Sequence, residues 1–585
     1  MHQDNHFLRK QYLKLLFPLM FSVLGGTINT LIDSILVAAA VGNNGLAAVN
    51  TCLPVYLVMC TAGSLIAGGA WILSSQSIGK EQVEQANRIY HKGLVLAFLV
   101  ALVITIDGVW LNSEIALILS SNGAIYEEVR QYNLISLIGA LPCIMMYFPM
   151  NYLQLEGKGT QISTMIMLMI GTDVVLDALF LFPFQWGMYG AAAASVLANL
   201  VSCIYGFAVL HGKDTNFPFR IEYLQIGQVG AIIKNGSALA LGNFYDAVRL
   251  LLVNSIILRF YGAPAMSIWA ILNTISELAL IIASGVPGAA SSMHGVYYTA
   301  RENSRIRLLV GLEVRVGTLL SAGFCLLIAV LNRPIQLLFN ADQSLLVPLL
   351  CLGVANWFQL LSGIWSELLQ ATQKIWIANV QVCLRRLLLP VLILLILAKQ
   401  HQYLWLFMPV SAVLTLVISV LVVGCVSLYS RTTKRPLSGV LLLDDYLQRE
   451  HKVIDFSVEA NTDQACEASE RIADFCMQNN MNTRQMMKVQ LAIEELLCIL
   501  ISQTQDIKEV DARAYAFDDI IGVQFRYAGI KYNPFEDTSE EVALELRLIN
   551  KIGEEFRHNY TLGMNTINFC ISTMEDAVNG GAIDE

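Results

Sequence analysis

Thr160–Pro183 reads TQISTMIMLMIGTDVVLDALFLFP, and Asp173 and Asp177 are its only charged residues. A helix needs about 20 apolar residues to cross the hydrocarbon core of a bilayer. An apolar run of this length cannot be a lipid-exposed strand, because an open sheet edge would leave backbone groups unpaired. The segment therefore predicts a transmembrane helix. Its two carboxylates, four residues apart, point to one helix face.

Eleven further runs of the same kind lie near 13–38, 46–76, 93–113, 130–153, 188–210, 232–259, 265–292, 309–331, 343–370, 375–398 and 403–429. The expectation is an all-α polytopic membrane domain of twelve transmembrane helices. Composition agrees: 14% of residues are charged, against about 25% in soluble chains. The deficit stops near residue 430. Residues 1–429 carry a net charge of +3 and residues 430–585 a net of −12, which marks two domains in two solvents. The first span follows a polar N-terminus without a small-residue cleavage site, so it reads as retained.

Lys and Arg set the orientation. With the N-terminus inside, eighteen basic residues, among them Lys80, Lys158, Arg301 and Lys374, fall on the cytoplasmic side. Only Arg130, Arg259, Arg333 and Lys399 fall outside. By the positive-inside bias, both termini are expected in the cytoplasm of a plasma-membrane protein. The twelve cysteines lack a CxxC pair and read as small apolar residues or free thiols, with no metal site.

The two halves look alike. At an offset of 220, Gly42 meets Gly262, Ser64 meets Ser284, Gly68 meets Gly288 and Ala70 meets Ala290. LQLEGK (Leu153–Lys158) resembles LQATQK (Leu369–Lys374). The expected organisation is a cytoplasmic N-terminus (1–11), a six-helix lobe (12–210), a linker (211–229), a second six-helix lobe (230–429), an exit linker (430–450) and a small domain (451–585). Two repeats of this sort are the architecture of a two-lobed transporter.

Several segments resemble the multidrug and toxic compound extrusion (MATE) transporters across roughly residues 10–429. IDSILVAAAVGNNGLAAVN (32–50), LQLEGKGTQ (153–161), and TDVVLDALFLFP (172–183) followed by GMYGAAAASV (187–196) carry the resemblance. It implies an antiporter that uses a proton or sodium gradient, with no other cofactor, to expel small and often cationic molecules. It also implies that Asp33 and Asp177 occupy the family's acidic positions in the N-terminal lobe. Asp173 falls where many members carry Asn, and Ser195 where a hydroxyl lines the same pocket; the extra carboxylate departs from the pattern.

Charges at membrane depth cost at least about 2.5–3.5 kcal/mol each, so they face protein or a wet cavity. Asp33, Asp173 and Asp177 are the ion-coupling candidates, because two acids in one low-dielectric pocket resist joint ionisation. The plainer reading has them bonded to hydroxyls or backbone at helix ends. In the second half, Asp246, Arg249, Glu277, Glu367, Arg385 and Arg386 are the substrate-cavity candidates. Asp246 and Arg249, three residues apart, equally read as a pair that neutralises itself. Arg385 and Arg386 either face the cavity, favouring anionic or zwitterionic cargo, or lie at the inner interface.

The last 135 residues alternate strand-like stretches (VIDFSVEA, 453–460; ARAYAFDDIIGVQFRYAG, 512–529) with amphipathic ones (463–480 and 483–503). That order predicts a small α/β sandwich with helices on one face of a mixed sheet. VQLAIEELLCIL (489–500) resembles the N-box of GHKL ATPases, in particular the kinase-like anti-sigma factors, with Glu495 at the acidic position. The resemblance implies that the nucleotide site has decayed. Ile499 replaces the magnesium ligand, Tyr527 the adenine-binding Asp beside the surviving Gly529, and Ala543 and Glu545 the phosphate-loop glycines. A regulatory or protein-docking role is then expected, with an inert tail as the bland alternative. His451 and His558 read as surface residues. No catalytic motif accompanies these features, and the acidic charge excludes nucleic acid as partner. Besides the bilayer and a small-molecule substrate, the one further partner expected is a cytoplasmic protein. The alternatives to an exporter are a lipid-linked precursor flippase of related architecture and a membrane sensor signalling through its tail.

Overall fold

A computed structural model describes residues 4–80, 82–120, 125–212, 215–338, 344–398, 404–430, 437–444, 452–479, 481–503, 507–517, 520–536, 549, 554–561 and 563–572. The chain forms two compact units. One comprises Tyr12–Tyr429 with Gly439–Leu442, and the other Met1–Gln11, Ser430–Ser438 and Leu443–Glu585.

The larger unit is helical. Its elements are α1 (Asp4–Ala40), α2 (Asn43–Gly79), α3 (Val83–Trp110), α4 (Asn112–Ser120), α5 (Tyr126–Ile138), α6 (Ala140–Met145), α7 (Tyr147–Leu155), α8 (Gly159–Leu181) and α9 (Gly187–Leu210). Then follow α10 (Val229–Thr299), α11 (Asn303–Val330), α12 (Asn332–Leu338), α13 (Leu346–Ala371), α14 (Ile375–Cys383), α15 (Leu389–Ala398) and α16 (Phe407–Ser430). Among the described residues, ten helical segments are long and apolar enough to span a membrane; α10 supplies two of them and α14–α15 one. Helices α5 to α7 make an eleventh, bent by 55°. The bend falls at Gly139, where a Cβ would run into Val196 of α9. The remaining expected span, near 13–38, lies within α1. Apolar side chains such as Leu319 (74% exposed) and Leu326 (69%) stand on the outer surface. Water would penalise that display, whereas lipid tails solvate it.

Backbone geometry repeats between the halves. Gly42, which opens α2, has φ 88° and ψ −169°; Gly262, which divides α10, has φ 76° and ψ −171°. Only glycine enters this region without strain. Gly157 (φ 72°) and Gln373 (φ 62°) end α7 and α13 in the same left-handed turn. In both turns the following lysine N–H reaches back five residues, Lys158 to the Leu153 carbonyl and Lys374 to the Leu369 carbonyl, each at 2.8 Å.

The halves meet along α2 and α10. A Cβ on Gly69 would strike the Ile232 carbonyl, one on Gly236 the Leu65 carbonyl, and one on Gly79 Thr299. Small residues here let two backbones touch, as in membrane helix pairs generally. Glutamine amides reinforce the same end of the bundle: Gln76 donates to the Ala371 carbonyl (3.2 Å), Gln373 to Gln76 (2.8 Å) and Gln154 to the Gly288 carbonyl (2.6 Å). Tyr12 of α1 donates to the Val286 carbonyl at 3.1 Å. This closed seam lies at the end where Lys80 follows α2 and where Lys158 and Lys374 precede α8 and α14.

The smaller unit holds a short pairing of β1 (Leu437–Ser438) with β2 (Leu443–Asp444) and a five-stranded sheet. The sheet order is β3 (Val453–Glu459), β4 (Glu509–Phe517), β5 (Ile520–Ala528), β7 (Met564–Ser572) and β6 (Glu554–Thr561). Every pairing is antiparallel, which corrects the expectation of a mixed sheet. Two helices, Thr462–Gln478 and Thr483–Gln503, separate β3 from β4. A single crossover helix would bring the chain back parallel, whereas a helical hairpin reverses it once more. Asn461 caps the first helix by accepting the Gln464 N–H at 2.8 Å. Ile472, Ile493, Leu496 and Leu500 of the helices share a core with Phe456, Val523, Phe525 and Ile567 of the sheet.

Candidate functional site

The acidic residues of the first half converge between α1 and α8. Asp33, Asp173 and Asp177 each present a carboxylate oxygen within 4.8 Å of the other two. Asp173 and Asp177 are 2% and 1% exposed. Asn29, one turn before Asp33, donates from Nδ2 to Asp173 Oδ2 at 2.6 Å and to Asp33 Oδ2 at 3.3 Å. Asp33 lies beside Asp177, and Ser195 of α9 beside Asp173. Carboxyl groups this close resist joint ionisation.

Donors run out before acceptors do. Asn29 Oδ1, Asp33 Oδ1, Asp173 Oδ1 and Asp177 Oδ1 are all buried without a hydrogen-bond partner. Three full charges at this spacing would repel by at least about 3 kcal/mol per pair at an effective dielectric near 20. Four unsatisfied oxygens around three acids make a pocket that a proton or a hard cation completes, since sodium-like ions take oxygen ligands. Tyr132 of α5 stands beside the cluster and packs on the apolar core that includes Val37 and Leu181. Asn29 and Tyr132 escaped the sequence reading. Asn29 had a usable signal, a polar side chain one turn from Asp33; Tyr132 had none.

The second half holds a cavity of about 480 Å³, and Asp246, Arg249, Glu277, Glu367, Arg385 and Arg386 all line it. Asp246 pairs with Arg249 at 3.3 Å through Oδ1 and with Arg386 through Oδ2. The expected Asp246–Arg249 pair is therefore a three-membered network. Glu367 accepts from Ser291 Oγ at 3.1 Å. Arg385 and Arg386 sit in a widened helical turn, Leu384–Leu388, between α14 and α15. Such π-type turns insert one residue and re-aim the side chains around it. Trp269, Leu272, Phe407 and Met408 supply an apolar wall.

In the same half, His294 Nε2 of α10 and Glu313 Oε1 of α11 approach to 2.9 Å, both side chains fully buried. Neither was a candidate, because the spans expected at 265–292 and 309–331 put His294 outside the bilayer and Glu313 at its edge.

In the smaller unit, Ile499 (1% exposed) is a core residue rather than the lining of a cleft. Tyr527 is fully buried and donates its hydroxyl to the Tyr532 carbonyl at 3.1 Å. Glu495 is half-buried on the same helix as Ile499. The Gly529 carbonyl accepts from Tyr560 Oη at 3.1 Å. Ala543, Glu545 and His451 lie outside the described residues. His558 departs from the surface role expected of it: it is half-buried, and its Nε2 meets Asn565 Oδ1 at 3.0 Å.

Comparison with known proteins gives one consistent picture for the larger unit. The MatE family model matches residues 18–182 and 238–375, just over half of the chain. The probable multidrug resistance protein YoeA of Bacillus subtilis (strain 168) is 21% identical over 372 residues, which cover 61% of this chain and 79% of that protein. The multidrug export protein MepA of Staphylococcus haemolyticus (strain JCSC1435) is 18% identical over 362 residues, with the same coverages. An outward-facing multidrug resistance MATE transporter of the MOP superfamily superposes with a TM-score of 0.67 at 19% identity, covering 71% of this chain and 94% of its own. A MOP-superfamily transporter from Pyrococcus furiosus Vc1, described by a binding pocket of reverse polarity, gives 0.66 with the same identity and coverages.

Proposed function

The chain belongs to the MatE family, and we propose that its larger unit is a cation-coupled antiporter working by alternating access, with the acidic C-terminal unit as its regulator. Membership makes it a multi-pass membrane transporter of the multidrug-efflux type and not an enzyme. The coupling step rests on one observation, the four partnerless buried oxygens around Asp33, Asp173 and Asp177. A proton or sodium ion entering this pocket satisfies them, and its departure restores the repulsion. Cargo and ion then bias the two lobes by their different affinities for the two states. One charge crossing 100 mV supplies about 2.3 kcal/mol, enough to shift such an equilibrium some fiftyfold.

The seam at the lysine-rich end is closed in this conformation. With the positive-inside bias, that end is cytoplasmic and the state is closed to the cytoplasm. The smaller unit then lies in the cytoplasm, where we assign it a nucleotide-free role in controlling the transporter through a protein partner. The buried, internally bonded Tyr527 and the core position of Ile499 support that assignment.

The test is efflux of a fluorescent cation from proteoliposomes of the full chain under imposed proton or sodium gradients. Asp177→Asn and Asp33→Asn should each remove gradient-driven transport; normal efflux in both variants sinks the coupling assignment. Micromolar ATP binding to the full chain by calorimetry would sink the nucleotide-free assignment.

A further inference from the structure

In the charged cavity of the second half, the cations are not all answered. Both oxygens of Asp246 are engaged, by Arg249 and by Arg386. Glu367 turns to Ser291. Arg385 keeps only a 3.3 Å bond from Nη1 to the Gln359 carbonyl, and its Nε is buried without a partner. Among the described residues no carboxylate lies within ion-pairing distance of it. A guanidinium cannot shed its proton to escape this cost, and a buried unsatisfied donor on a charged group is expensive.

The surrounding backbone is shaped to keep that group in place. The widened turn at Leu384–Leu388 directs both arginines to the cavity. Two glycines on facing helices make room for them. A Cβ at Gly363 would come within 3.0 Å of Arg385 Nη1, and one at Gly242 within 3.1 Å of Arg386 Cζ. A Cβ at either place would press on a guanidinium, which would have to give by a few tenths of an ångström.

We propose that this cavity is a cargo site for amphipathic organic molecules that carry an anionic group, and that Arg385 binds that group. A carboxylate or similar anion gives Nε the acceptor it lacks, in a charge-assisted bond. The apolar body of the cargo lies against Trp269, Leu272, Phe407 and Met408, and Glu277 across the same cavity is free to take an amine, so zwitterions fit as well. This inference rests on the transporter reading but does not depend on which ion drives it.

The experiment compares rhodamine 110, which has a free carboxylate, with rhodamine 123, its methyl ester, by fluorescence anisotropy on the purified full chain. The acid should bind about tenfold more tightly than the ester, the size of one charge-assisted bond, although the ester is the more lipophilic dye. Arg385→Gln should erase the difference, and an unchanged thermal unfolding midpoint of the purified chain reports that the variant is folded. Arg385→Lys should keep part of the preference. Equal affinities in the unaltered protein, a preference for the ester, no binding of either dye, or a preference that survives Arg385→Gln overturns the inference. Gradient-driven efflux of both dyes is read on the same preparation. Failure of efflux with the acid preference intact counts against the antiporter alone; efflux without that preference counts against the anion site alone.

Discussion

Asn29 Nδ2 lies 2.6 Å from Asp173 Oδ2, so a neutral side chain of α1 holds a carboxylate of α8 across the helix interface. The same amide reaches Asp33. Removing it takes from both carboxylates the amide donor they share, at about 1–3 kcal/mol each. Asn29→Ala should therefore lower gradient-driven efflux by at least about tenfold without preventing membrane insertion. Initial efflux rates, normalised to protein in the vesicle, check this; full activity would mean that Asn29 only fills space.

The α2–α10 seam makes a second prediction. Leu at Gly236 has no space against the Leu65 carbonyl, and overpacking of this kind costs about 1–3 kcal/mol. Gly236→Leu should shift the population away from the closed seam by roughly fivefold to a hundredfold. Hydrogen exchange over residues 229–240 should quicken and efflux should fall. Unchanged exchange would show that the seam tolerates the bulk.

Cys466 donates its thiol to Glu494 Oε1 at 3.0 Å. The neighbouring carboxylate, holding the proton by this hydrogen bond, pushes the thiol up to about 11 from an ordinary 9.0. Cys466 should thus alkylate slowly at pH 8 despite its exposure. Glu494→Gln should speed its reaction with iodoacetamide by about tenfold or more, because thiolate is the reacting species. Peptide mass spectrometry over a time course reads the rate.

His558 titrates below its ordinary value of 6.5 because burial disfavours its charged form, and Lys531 adds to the effect. The unfolded chain then binds a proton that the fold resists. This stabilisation is complete above pH 6.5 and is lost as the pH falls below it. Exchange protection in the β6–β7 hairpin should weaken as the pH falls below 6.5 in the unaltered chain, and His558→Gln should flatten the dependence.

The Asp173–Asp177 spacing announced a shared helix face because period and carboxylate are both local properties. The glycine pair Gly42–Gly262 was legible for a similar reason: an offset of 220 can be read from sequence, and both residues take the same backbone conformation. The arginines at 385 and 386 could not be placed from sequence, since one inserted residue in a helical turn decides where both point. His294 and Glu313 were hidden by span ends drawn on hydropathy, which a buried polar pair defeats. The sheet of the small unit was misread as mixed because strand direction depends on how many helices intervene, not on strand composition.

The seam between the halves carries a consequence of its own. Its contacts are backbone against glycine and amide against carbonyl, groups for which water is nearly as good a partner. Opening along that line trades each polar contact for one with water, at about 0.5–1.5 kcal/mol per bond. The cohesion of the halves is then left to the buried apolar side chains of the same two helices, among them Ile66, Ile232 and Val296.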